Sequence, residues 1–167
     1  MKIGRITVSD RASAGIYEDR SGPEIERLLR DVFGSEALFV SAVVPDELPQ
    51  IVGKLCAFAD SEHCDLIVTT GGTGISPRDV TPEATREILE KELPGFGEIM
   101  RMQSFAKVRT AILSRATAGT RGASLIVNLP GKPSAVAECL SILAPALREG
   151  IAHLQGADPH AKPSATA

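Results

Sequence analysis

The chain reads as an α/β fold built on a mostly parallel sheet with helices on both faces. Three observations predict this. Short apolar, β-branched runs alternate along the whole chain with segments whose apolar residues recur at i, i+3, i+4 and i+7. That alternation is the pattern of strands joined by crossover helices. The length of 167 residues, with 43% hydrophobic and 23% charged residues, suits one globular domain able to bury a full core.

Ile3–Ser9 is the first strand, and Asp10–Arg20 follows as a polar loop. Ser21-Gly22-Pro23-Glu24 has the form of a capping box, Ser21 at the N-cap and Glu24 three residues on. Ile25, Leu28, Leu29 and Val32 then stripe a helix that ends near Gly34. Leu38–Val44 is the second strand, closed by Pro45-Asp46. Leu48, Ile51, Val52, Leu55 and Cys56 mark the second helix, and Leu66–Thr70 the third strand. Thr81 supplies an N-cap hydroxyl and Pro82 a first helical position for a helix running to about Glu92. In Pro94–Arg115, Phe96, Ile99 and Met100 form one face of a short helix and Ala111–Leu113 reads as a brief strand. Gly119–Gly122 is turn-like, and Leu125–Leu129 is a buried strand. From Ser134 a last helix carries Val136, Cys139, Leu140 and Leu143, with Pro145 kinking or restarting it. The domain is thus placed at 1–156. The tail 157–167 has nothing to bury and is expected to be disordered.

The stretch Leu66–Glu83, LIVTTGGTGISPRDVTPE, carries the third strand through a glycine loop into its helix. Closely spaced glycines give backbone that can adopt φ > 0 and lie against a ligand. A strand, a glycine loop and a helix start together form the layout of an anion site. The same loop also reads as a tight strand-to-helix connection. It lacks both the Lys-Ser/Thr end of a P-loop and the G-x-G-x-x-G spacing of a dinucleotide fold, so it predicts an anion without specifying a nucleotide. In a parallel sheet the loops after the strands emerge along one edge. Ser9–Gly22, Pro45–Asp46, Gly71–Thr81 and Asn128–Ser134 therefore converge.

Other function classes fit poorly. A net charge of −3 and 4% aromatic residues, with no Trp, argue against a nucleic-acid binder. No apolar run reaches membrane-spanning length and Met1 leads straight into a strand, which predicts a cytoplasmic protein. Cys56, Cys64 and Cys139 lack metal or redox spacing and read as buried thiols. His63, His153 and His160 form no ligand cluster.

The runs TGGTGISPRDVTPEAT (Thr70–Thr85), NLPGKP (Asn128–Pro133), SDRASAGIYEDRSG (Ser9–Gly22) and VPDE (Val44–Glu47), in that combination, resemble the MogA/MoaB family of molybdenum-cofactor biosynthesis. The gephyrin G domain and its plant homologue belong to the same superfamily. PGFGEIMR (Pro94–Arg101) and AILSRA (Ala111–Ala116) are similar to its MogA branch, whereas Ile142–Ile151 is too short for an insertion that some bacterial members carry. The resemblance implies a three-layer α/β/α fold and transfer of AMP from Mg-ATP to the terminal phosphate of molybdopterin, with release of pyrophosphate. It also implies a homotrimer and a downstream metal-insertion enzyme as partner. By the same resemblance Asp46 and Asp79 are the catalytic aspartates and the candidate Mg2+ ligands. Ser9, Asp10, Thr70, Gly71, Gly72, Thr73, Gly74, Thr81, Asn128, Pro130, Gly131 and Ser134 are the candidate phosphate-binding residues.

The residues themselves permit other roles. Asp46 stands where the N-cap of the second helix falls, and Asp79 could pair with Arg78. Asp10 and Asp19 suit turn formation, Arg115 and Arg121 suit either a phosphate or solvent, and Lys132 occupies a variable position. A pterin-binding carrier and a nucleotide pyrophosphate hydrolase would need the same anion loop.

Overall fold

The computed structural model describes residues 1–157; the predicted tail lies, from residue 158 onward, outside the described residues. Six strands form one sheet: β1 (Lys2–Val8), β2 (Leu38–Val44), β3 (Leu66–Thr70), β4 (Lys91–Glu92), β5 (Ala118–Arg121) and β6 (Ser124–Leu129). Their order is β2-β1-β3-β6-β5-β4. The first four strands in that order pair in parallel, and β4 and β5 complete one edge antiparallel.

Alternation along the strands divides the core into two layers. Leu66, Val68, Leu125, Val127 and Leu129 meet α2 (Ser21–Phe33), α5 (Pro94–Phe105) and α6 (Pro133–Leu154). Ile67 and Ile126 point the other way, with Ile6 and Val8, toward α3 (Leu48–Cys56) and α4 (Thr81–Ile88). A helix layer on each face of a mostly parallel sheet is the predicted architecture.

β2 and β3 match their predicted spans, but several local readings give way to long-range contacts. The loop after β1 opens with a single helical turn, α1 (Asp10–Ser13), capped by Ser9, whose Oγ accepts the Ala12 N–H at 3.2 Å. The capping box does not form. Ser21 lies inside α2, and its hydroxyl donates to the Gly131 carbonyl at 2.7 Å. Asp19 caps instead, its Oδ1 accepting the Gly22 N–H at 2.9 Å. Its Oδ2 receives the Thr7 hydroxyl and Arg5 Nη1, both at 2.7 Å. Thr81 likewise belongs to the first turn of α4 and does not cap it, its hydroxyl being spent on the Gly71 carbonyl at 2.9 Å.

α3 continues as a wide π turn to Ser61, and α4 ends at Ile88 so that Lys91–Glu92 can pair with β5. Ala111–Leu113 belongs to a 3-10 turn (Arg109–Leu113), not a strand. The turn-like Gly119 sits within β5, and the reversal occurs at Gly122, with φ 52°. α6 runs unbroken through Pro145. Cys64 and Cys139 are buried, and burial pushes both thiols up to about 11; Cys56 is partly exposed. Among the described residues no helix is long and apolar enough to cross a membrane.

If Asp19 and not Glu24 holds the start of α2, the two substitutions separate. Asp19→Ala is expected to cost about 1.5–3 kcal/mol, the range for hydrogen bonds to a charged group. Glu24→Gln should change stability by less than about 0.5 kcal/mol, because Glu24 meets only the exposed Arg27. Urea unfolding of the two variants measures both.

Candidate functional site

The strand order changes direction between β1 and β3, since the chain moves outward from β1 to β2 and then returns to the other side of β1. Ligands in open α/β sheets bind at such a switch point, outside the carboxyl ends of the strands. Here the loops after β1 and β3 leave side by side, flanked by those after β2 and β6. They are tied together by the Ser21–Gly131 bond, by the Thr70 hydroxyl donating to the Pro130 carbonyl at 2.7 Å, and by the Gly71 N–H reaching the Leu129 carbonyl at 3.3 Å.

The glycine loop has a regular internal order. The Gly71 carbonyl accepts the Thr81 hydroxyl, and the Gly72 carbonyl the Thr81 N–H at 3.1 Å. The Thr73 carbonyl accepts the Arg115 N–H at 2.8 Å, and the Gly74 carbonyl accepts Arg115 Nε at 2.6 Å. In a trans peptide the carbonyl of one residue and the N–H of the next point in opposite directions. Four anchored carbonyls therefore aim the N–H groups of Gly72, Thr73, Gly74 and Ile75 the other way. These four amides have no acceptor among the described residues. Gly71 and Gly72 adopt φ of 96° and 61°, a conformation that side chains with a Cβ resist.

Both candidate aspartates border this loop. A Cβ placed on Gly72 would lie 3.0 Å from Asp46 Oδ1, and one on Gly74 would lie 2.9 Å from Asp79 Oδ2. Asp46 does not cap α3, whose N-cap position is Glu47. It forms a reciprocal pair with Asp10: Asp46 Oδ2 accepts the Asp10 N–H at 2.8 Å, and Asp10 Oδ1 accepts the Asp46 N–H at 3.0 Å. Asp79 does not pair with Arg78; its Oδ2 accepts the Ser76 N–H at 2.8 Å. Arg78 instead joins Asp10 at 2.9 Å and Glu47 at 2.8 Å. Burial pushes the Asp46 carboxyl above the ordinary range, and the charges of Asp10 and Asp79 add to the rise against the opposing Asp10 N–H and Arg78. Asp10 is held low by Arg78 and then by the Asp46 N–H.

Two cavities open at this edge. One of about 570 Å3 is lined by Thr73, Gly74, Asp79, Pro130, Gly131 and Ser134, among others. A smaller one of about 140 Å3 is lined by Ser9, Tyr17, Asp19, Ser21, Gly71 and Gly131. The larger is of the size that holds a nucleotide-like ligand.

Three predicted phosphate ligands occupy structural positions instead. Asn128 is fully buried, its Nδ2 donating to Thr69 at 3.0 Å and Thr85 at 2.9 Å and its backbone N–H to Thr117. Thr70 and Thr81 are at most 1% exposed and spend their hydroxyls on loop carbonyls. Their chemistry is to fix the loops. Asp10 likewise acts toward Asp46 and Arg78. Arg121 pairs with Asp60 and the Ile88 carbonyl, away from these loops. Arg115, one of two arginines that the sequence leaves open, holds the glycine loop. The run AILSRA marks it as family-like without giving its role, because its partners lie 32 to 41 residues earlier.

Residues 4–149 match the family model described as "Probable molybdopterin binding domain". A molybdopterin adenylyltransferase of Helicobacter pylori (strain 26695) is 52% identical over 145 residues, covering 87% of this chain and 82% of that protein. The molybdopterin adenylyltransferase of Escherichia coli K12 is 44% identical over 140 residues, covering 84% and 72%. Among solved structures, the molybdopterin biosynthesis enzyme MoaB of Thermus thermophilus superposes with a TM-score of 0.84 at 42% identity, covering 93% of this chain and 96% of that one.

The raised Asp46 pKa has a definite sign. An acid that binds its proton more tightly in the folded state contributes stability at low pH, and this is lost as pH rises through the raised pKa. Asp46→Asn keeps an oxygen for the Asp10 N–H and removes the charge. It is expected to raise unfolding free energy at pH 7 by up to about 1 kcal/mol. The gain should vanish near pH 3, where the parent side chain is protonated. Urea titrations of parent and variant at both pH values check it, and an equal gain at both contradicts the assignment.

Proposed function

The chain belongs to the molybdopterin binding domain family, and we propose that it is a molybdopterin adenylyltransferase acting at the edge where the glycine loop meets Asp46 and Asp79. Relatives at 44–52% identity over most of the chain carry that activity in their names. The observation that carries the local reading is the row of unpaired amides from Gly72 to Ile75, bordered by two carboxylates.

In this reaction an oxygen of the pterin's terminal phosphate forms a bond to the α-phosphorus of ATP. The bond from that phosphorus to the bridging oxygen breaks, and its electron pair leaves with pyrophosphate. A phosphate monoester has a second pKa of about 6, so the attacking group is already an anion at neutral pH and needs no general base. The difficulty is to bring two anions into line. Alignment and fixed dipoles meet it. The amides of Gly72, Thr73, Gly74 and Ile75 supply partial positive charge without mobile counter-charges, and Gly131 and Ser134 line the larger cavity with Thr73, Gly74 and Ile75.

The residues fit a magnesium ion. Asp46 and Asp79 offer hard oxygen donors, and the proximity of their charges is part of what raises the Asp46 pKa. Magnesium keeps several waters and takes other ligands from substrate phosphates, so it is commonly held by one or two carboxylates. When bound, Mg2+ would neutralise charge between the two reactants. Asp46 and Asp79 would hold it, with Asp10 fixing the Asp46 backbone and Ser76 fixing the Asp79 carboxylate.

The remainder of the reading rests on family resemblance: residues 1–156 as one catalytic domain, a cytoplasmic homotrimer, and transfer of product to a metal-insertion enzyme. Purified protein incubated with molybdopterin, ATP and Mg2+ should release pyrophosphate and yield an adenylylated pterin. Pterin binding without product would instead mark a carrier, and nucleotide cleavage without pterin a hydrolase. In the same assay Asp46→Asn and Asp79→Asn should each lose 100-fold or more in rate, equivalent to about 2.7 kcal/mol, with melting temperatures at or above that of the parent.

A further inference from the structure

We propose that the Arg115 side chain is a positioning residue for adenylyl transfer, a planar clamp that sets the second half of the glycine loop and the segment carrying Asp79. The inference rests on the functional reading above. The guanidinium makes three contacts in its fork: Nε to the Gly74 carbonyl at 2.6 Å, Nη2 to the Asp79 carbonyl at 2.6 Å, and Nη1 to the Glu83 carboxylate. One rigid group thereby spans the end of the amide row, the backbone of a candidate metal ligand and the first turn of α4.

The loop divides into two halves by what holds it. Thr81 anchors the carbonyls of Gly71 and Gly72 and so aims the amides of Gly72 and Thr73. The backbone N–H of Arg115 anchors the Thr73 carbonyl and aims the Gly74 amide, which any residue at 115 except proline would also do. The Arg115 side chain alone anchors the Gly74 carbonyl and aims the Ile75 amide.

Glu83 orients the fork from behind. Its second oxygen, Oε2, is buried without a partner among the described residues, so Arg115 supplies the compensation for its charge. The guanidinium donates to protein groups through all three nitrogens. It acts on the reaction through the loop.

Lysine distinguishes a clamp from a point charge, because an ammonium keeps the charge but cannot reproduce three donors in one plane. Arg115→Lys is expected to melt within a few degrees of the parent, to lose about 100-fold in kcat, as a roughly 1 Å misplacement would, and to change KM for ATP less than threefold. In 1H–15N spectra titrated with inorganic pyrophosphate, the parent should shift the amides of Gly72, Thr73, Gly74 and Ile75. The lysine variant should keep the Gly72 and Thr73 responses and lose that of Ile75.

Glu83→Gln, which leaves the arginine in place, should give a smaller fall in kcat in the same direction, and it carries the test if the lysine variant does not fold. Parent-like kcat in Arg115→Lys, or an unchanged Ile75 response, overturns the clamp. So does parent-like kcat in Glu83→Gln. A parent that neither turns over nor shows the amide shifts overturns the functional reading itself, and the inference with it.

Discussion

The planarity of the peptide bond is the constraint on which this site depends. A glycine-rich loop is free to turn its amides in many directions, and most of those would be useless to an anion. Fixing the carbonyls of residues 71 to 74 removes that freedom, since each peptide plane carries the next N–H opposite its own oxygen. The anchors are Thr81 at one end and Arg115 at the other. Preorganisation of this kind is set during folding, so no dipole needs to reorient when charge arrives.

The sheet supplies the frame for these anchors. β3 lies between β1 and β6, so the glycine loop emerges between the two loops it must meet. The Ser21 and Thr70 hydroxyls donate to the Gly131 and Pro130 carbonyls, 110 and 60 positions away. Across 36 residues, the Asp10 and Asp46 carboxylates each accept the other's backbone N–H. Ser21 and Thr81, which sequence patterns assign to capping, are consumed by such loop bonds, which is why the cap positions of α2 and α4 are taken by other residues.

That trade explains what the sequence can and cannot disclose. Strand runs such as Leu38–Val44 and Leu66–Thr70 are legible because burial on a sheet leaves a mark within a few residues. The convergence of four loops follows from the parallel sheet alone. Asn128 becomes a candidate ligand through the resemblance of the run NLPGKP, which does not disclose that its side chain turns to two buried threonines. The short β4–β5 pairing leaves no such mark, because Lys91–Glu92 and Ala118–Arg121 have too little apolar alternation to register as strands. Arg115 lies in AILSRA, a run the family resemblance covers, but that run does not disclose its role: its meaning lies in carbonyls that only the folded chain brings to it.

The distribution of charge around the loop shows a selection that no single contact reveals. Cationic side chains are present, and each takes a particular acid. Arg78 neutralises Asp10 and Glu47, and Arg115 neutralises Glu83. Asp46 and Asp79, the two carboxylates against the amide row, form no ion pair among the described residues. Their oxygens are held by backbone N–H groups, which orient a carboxylate without cancelling its charge. Burying Asp46 without a cation costs stability: burial raises its pKa first, and the charges of Asp10 and Asp79 add to the rise. An arrangement that spends its arginines on Asp10, Glu47 and Glu83 and leaves Asp46 and Asp79 without a cation is the one that the proposed magnesium, arriving with a phosphate chain, would complete.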